Sequence, residues 1–156
     1  MPDPAVFSDM ELAFRTKARF FVPPALTDPL QPMADAATLA VLVDVDALVK
    51  RSQLDRVMLL ALQALARTQV HVLLVSHDEQ IRLGLWRRGV PLTWLSADVP
   101  RRAMTHLRSR DRGVRVVAIT DCADNVDAVY DCWLDLRRTS VAEARAALWW
   151  LVHARS

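Results

Sequence analysis

Two carboxylates two residues apart, Asp44 and Asp46, follow directly on an apolar run at residues 39–43. One carboxylate of such a pair can attack phosphorus or hold a metal ion while the other moves a proton. The same pair also suits a helix cap or a solvated turn, so its meaning depends on what else reaches the same place. Ser76 follows the apolar run 70–75, Arg101 and Arg102 open a later helical stretch, and Thr120, Asp121, Asp124 and Asn125 follow the run 114–119. In an open parallel sheet the ligand crevice lies beyond the carboxyl ends of the strands, so residues placed directly after apolar runs converge on one edge. Carboxylates there offer the oxygen ligands that magnesium prefers. Arg101 or Arg102 and the Ser76 hydroxyl would steady phosphoryl oxygens.

The elements needed to position these groups can be read from the chain. Apolar runs at 39–43, 70–75 and 114–119 predict three buried strands, with shorter strands at 91–95 and 133–136. Between and after them, helices are predicted at about 52–68, 78–88, 99–110, 124–130 and 141–153. The strands are continuous apolar runs, as expected when helices cover both faces of a parallel sheet, so the fold class is α/β. Six of the eight prolines, at positions 2, 4, 23, 24, 29 and 32, fall in the first thirty-five residues and should break long regular elements there. Residues 1–37 therefore read as a Pro-rich N-terminal arm ahead of a domain over 38–156. Ser8 and Glu11 have capping-box spacing ahead of a short amphipathic helix at 9–20.

A chain of 156 residues, 53% hydrophobic, fits one domain with a substantial core. Its net charge of +2 demands neither nucleic acid nor an anionic membrane as partner. Cys122 and Cys132 make no metal-ligand pair and no disulfide framework, and no secretory signal or membrane anchor is visible, which favours the cytoplasm.

Over residues 38–152 the order of these features resembles the haloacid dehalogenase (HAD) superfamily, mostly magnesium-dependent phosphohydrolases. Val41-Leu42-Val43-Asp44-Val45-Asp46 resembles the family's first motif, an apolar strand ending in Asp-x-Asp. Leu73-Leu74-Val75-Ser76 is similar to the second motif, Arg101 or Arg102 to the lysine of the third, and Ile119-Thr120-Asp121-Cys122-Ala123-Asp124-Asn125 to the acidic fourth. The resemblance implies a Rossmann-like three-layer sandwich with a mostly parallel sheet, and Mg2+ as cofactor. It further implies Asp44 as the nucleophile that forms an aspartyl-phosphate, Asp46 as general acid and base, Ser76 with Arg101 or Arg102 on the phosphate, and Asp44, Asp121 and Asp124 on the metal. The chain departs from the family at Ala47-Leu48, where Gly-Thr is usual, at Thr120, where Gly is usual, and in using arginine for lysine. Ser76 lies 32 residues beyond Asp44 and Arg101 lies 25 beyond Ser76, which leaves no room for an inserted cap domain. In capless relatives a neighbouring subunit or a macromolecular substrate often covers the site, so a homo-oligomer is expected.

Two functions of different class follow. The first is a magnesium-dependent phosphohydrolase acting on a phosphorylated substrate that the sequence does not identify. The second is a non-catalytic HAD-like binding or assembly module, meeting a protein partner through the N-terminal arm and through Trp149 and Trp150, whose helix has a broad apolar face that packing under the arm explains equally well. A metal-dependent nuclease ranks third, because Ser76 and Arg101 occupy phosphatase positions. The arginines at 101, 102, 108, 110, 112 and 115 lack interleaved aromatics for base stacking, and pairing with surface acids explains them better than nucleic acid does.

Overall fold

The computed structural model describes residues 24–50, 56–121 and 130–156. The helix expected at 9–20, the start of the helix expected from 52, most of the helix expected at 124–130, and with it Cys122, Asp124 and Asn125, lie outside the described residues.

The described elements run α1 (Pro24–Ala34), β1 (Leu39–Asp44), α2 (Val45–Lys50), α3 (Arg56–Ala66), β2 (His71–Val75), α4 (Glu79–Arg87), a 3-10 turn (Leu92–Trp94), β3 (Leu95–Ser96), α5 (Pro100–Arg110), β4 (Arg115–Thr120), β5 (Cys132–Asp135) and α6 (Val141–Arg155). The strands form one five-stranded sheet in the order β3-β2-β1-β4-β5, and every pairing is parallel. The fold is thus α/β and Rossmann-like. β1 is central, so its run Leu39–Val43 is buried on both sides, as its unbroken apolar character requires. Leu39, Val41 and Val43 join the larger core against α1, α3 and α6, whereas Ala40 and Leu42 meet Ala103 and Met104 of α5 on the other face. The chain moves outward from β1 to β2 and β3, then returns through α5 to β4 on the far side of β1. A right-handed crossover in the reverse direction must use the opposite face, which is where α5 lies.

Local chemistry explains where the elements stop. α3 presents Met58, Ala61, Leu62 and Leu65 to the core at helical spacing. α4 begins at the N-cap Asp78, whose carboxylate accepts the N–H groups of Gln80 and Ile81. It ends at Gly89, with φ of 92°. There the Gly89 N–H donates to the Trp86 carbonyl at 2.9 Å and the Val90 N–H to the Leu85 carbonyl at 3.1 Å, the paired bonds of a Schellman ending. α6 opens on a capping box between Ser140 and Glu143.

Two expectations are corrected. Residues 24–34, read from their prolines as irregular, form the three-turn helix α1 with Pro29 and Pro32 inside it. Both prolines are exposed, where water can serve the carbonyls they leave without partners, while Leu30, Met33 and Ala34 are buried. The Arg155 guanidinium on α6 donates to the Ala34 and Ala36 carbonyls at 3.2 and 2.8 Å, closing the exposed end of α1. Second, the strand expected at 91–95 is a 3-10 turn followed by a two-residue edge strand, because Pro91 and the turn leave only Leu95 and Ser96 to pair with β2. Of the two readings of the tryptophans, packing within the domain is the one seen: Trp149 is only 4% exposed and sits in the larger core, with Trp150 packed against that core. Among the described residues no helix is long and apolar enough to cross a membrane.

Candidate active site

The register around β1 decides what meets at the carboxyl edge. Asp44 lies opposite Val75 of β2, and Val43 opposite Ile119 of β4, so Ser76, one residue beyond β2, and Thr120, the last residue of β4, flank Asp44 on either side. The chain reverses its direction across the sheet between β1 and β4, which makes this the topological switch point where α/β sheets open a crevice.

Asp44 is half-buried and does two things at once. One carboxylate oxygen accepts the Ala47 N–H at 3.3 Å, as a helix cap does for α2, and the other accepts the Thr120 hydroxyl at 2.8 Å across the switch point. Burial pushes its pKa above the ordinary carboxylate value; the two hydrogen bonds oppose that rise, and the charges of Asp121 and Asp46 add to it. Thr120 is fully buried, and its carbonyl accepts the Trp133 indole N–H at 3.0 Å and the Leu136 N–H at 3.0 Å. Thr120, which stands where the resemblance expects glycine, is therefore the residue that orients Asp44.

Asp46, in the first turn of α2, points toward β2. Its two oxygens accept the Ser76 hydroxyl at 2.6 Å and the His77 N–H at 3.0 Å. The turn after β2 is held from within: the Ser76 oxygen accepts the Asp78 N–H at 3.1 Å, and the Arg82 guanidinium donates to the Ser76 carbonyl at 2.6 Å. An open groove of about 630 Å3, lined by Asp46, Val49, His77, Asp78, Glu79 and Ile81, runs along this turn.

Arg101 and Arg102 stand exposed on the first turn of α5, and Arg102 pairs with Asp98 at 3.7 Å. The hydrogen bonds that hold Asp44, Asp46 and Ser76 include neither guanidinium. Farther along the same stretch, Asp131 accepts Arg108 at 3.1 Å and Arg115 at 3.2 Å, so two of the crowded arginines tie α5 to β4. The structure thus brings together Asp44, Asp46 and Ser76, with the charge of Asp121 next to Asp44.

Asp44 and Asp121 supply hard carboxylate oxygens of the kind magnesium takes. Among the described residues no three acidic, histidine or cysteine side chains gather closely enough to hold an ion by themselves. Magnesium commonly binds through one or two carboxylates and completes its shell with water and phosphate oxygens, so the donors present fit it in kind.

Sequence reasoning places Thr120 at this edge without its role, and misses Arg82 and Asp135. Thr120 reads as a lost glycine until its hydroxyl is seen on Asp44, and Arg82 gives no signal because it acts on a backbone carbonyl six residues back. Asp135 lies inside the strand expected at 133–136, yet it ends β5 opposite Thr120 and is bound by Arg137, whose hydrogen bonds and charge hold its pKa below the ordinary value. An acid at the end of a fifth parallel strand was the available clue. No protein-family model, curated protein or solved structure matches this chain.

Proposed function

We propose that the carboxyl edge of the sheet is a magnesium-dependent phosphoryl-transfer site of the HAD type, hydrolysing a phosphate ester. The observation that carries this reading is the placement of Asp44 at the switch point, oriented by Thr120 and set beside two further acids, Asp46 and Asp121. Repulsion among carboxylates favours a cation at this place, and Asp44 and Asp121 are the residues that would hold it. Bound magnesium would offset negative charge on the phosphoryl group. The Thr120 hydroxyl and Ala47 N–H hold the Asp44 carboxylate at the end of β1, where it would serve as the nucleophile. Asp46, on the adjoining helix, is the candidate proton carrier for the leaving oxygen.

A non-catalytic HAD-like module is the second reading, and one observation favours it: the Ser76 hydroxyl and the Asp46 carboxylate, both needed in the reaction, are bonded to each other. Magnesium titration by calorimetry together with hydrolysis of an aryl phosphate separates the two. The proposal expects magnesium binding and turnover that is lost in Asp44→Asn. A folded protein with neither property refutes it and leaves the second reading.

A further inference from the structure

We propose that Asp46 is a latch: its carboxylate occupies the oxyanion seat formed by the Ser76 hydroxyl and the His77 N–H, and a phosphate group must displace it to bind. The inference rests on the phosphoryl-transfer reading and adds to it a regulated entry step.

Two donors converge on a single carboxylate at 2.6 and 3.0 Å, one from a hydroxyl and one from the backbone. A phosphate presents a similar pair of oxygens to the same donors, since hydroxyls and backbone N–H groups in a tight turn are general ligands for oxyanions. The seat is preformed and does not depend on Asp46. Ser76 is buried, the Asp78 N–H fixes the Ser76 oxygen, Arg82 pins the Ser76 carbonyl, and the Asp78 carboxylate caps α4 immediately after. Asp46 comes from a different element, the short helix α2, so it can leave by rotating its own side chain without disturbing the turn. The groove of about 630 Å3 is lined by Asp46 and His77, so it borders the seat on the side where the Asp46 side chain would withdraw.

The consequence is a shared switch. While Asp46 sits on Ser76 and His77 it cannot carry a proton to a leaving oxygen, and no anion can be held there. When phosphate takes the seat, Asp46 is released next to Asp44 as a free carboxylate. Apparent phosphate affinity is reduced by the fraction of time the latch is open.

Magnesium-free titration with inorganic phosphate, followed at the His77 backbone amide by 1H–15N NMR, tests this. Asp46→Ala should bind phosphate about tenfold more tightly than the parent protein, or better, with the His77 amide moving on titration. Glu79→Gln removes one negative charge from the same groove without touching the seat and should gain no more than about twofold. The gain from Asp46→Ala should vanish when Ser76→Ala is added. If Asp46→Ala does not fold, Asp46→Asn, close in volume, carries the same expectation with a smaller gain. Unchanged or undetectable phosphate binding in the Asp46 variants, an equal gain in Glu79→Gln, or a gain that survives Ser76→Ala overturns the latch. Failure of the catalytic reading is seen separately, in magnesium binding and aryl phosphate turnover.

Discussion

Replacing Thr120 by valine removes one hydroxyl and nearly nothing else. The side chain is fully buried, valine has nearly its shape, and the carbonyl that receives Trp133 and Leu136 is untouched. What is lost is the hydrogen bond to Asp44 at 2.8 Å. A bond to a charged acceptor contributes about 1.5–3 kcal/mol, against about 1 kcal/mol for a neutral pair. Its loss should therefore cost most while Asp44 is ionised. The direction with pH follows from the same contact. Burial already holds the folded pKa of Asp44 above its unfolded value, so this group's contribution to stability is greatest at low pH and declines as pH rises through the folded value. Thr120→Val raises that pKa further, so the gap in stability between parent and variant opens as pH rises. Urea unfolding of the parent, Thr120→Val and Thr120→Ser at neutral pH and again near pH 4 measures it. The valine variant should lose roughly 1.5–3 kcal/mol at neutral pH, a fall of roughly 3–10 °C in melting temperature, and distinctly less in acid, while serine restores most of it. A cost that is the same at both pH values, or that serine does not relieve, would show that the hydroxyl is not holding a carboxylate.

Gly89→Ala should cost about 1–2 kcal/mol from the backbone alone, since φ is 92° and an added Cβ meets nothing within 4 Å; calorimetric melting measures it. Arg155→Met should speed amide exchange selectively in α1, because the guanidinium that serves the Ala34 and Ala36 carbonyls is gone. Leu62→Ala, at a fully buried position of α3, should cost about 2–5 kcal/mol in urea unfolding. Cys132 should resist iodoacetamide at pH 8 in the folded protein, because burial, with Asp131 adding to it, pushes its thiol pKa up to about 11; peptide mapping before and after unfolding decides the point.

The central strands are legible in the sequence because each is an unbroken apolar run, which only a strand covered on both faces needs. Position 44 is legible for the same reason: an acid directly after such a run has to sit at the strand's end. β3 is not legible as it stands, since two edge residues carry no period. Nor is α1, where two prolines argue against a helix and only a distant arginine and a buried face argue for it. At the site, the meeting of Asp44 with Asp121 and Ser76 follows from strand order, but the bonds Asp44–Thr120 and Asp46–Ser76 join residues 76 and 30 positions apart. Spacing alone cannot announce such pairs.

The clasp between Arg155 and the end of α1 also bears on the order in which the chain can fold. Its partners are separated by 119 to 121 residues, so α1 leaves the ribosome long before the group that closes it exists. Leu30 and Met33, buried in the finished protein, must wait exposed through synthesis of almost the whole domain. A nascent chain arrested before α6 should therefore hold chaperones at α1, and the two prolines on its outer face would then slow premature helix formation in a segment with nothing yet to pack against.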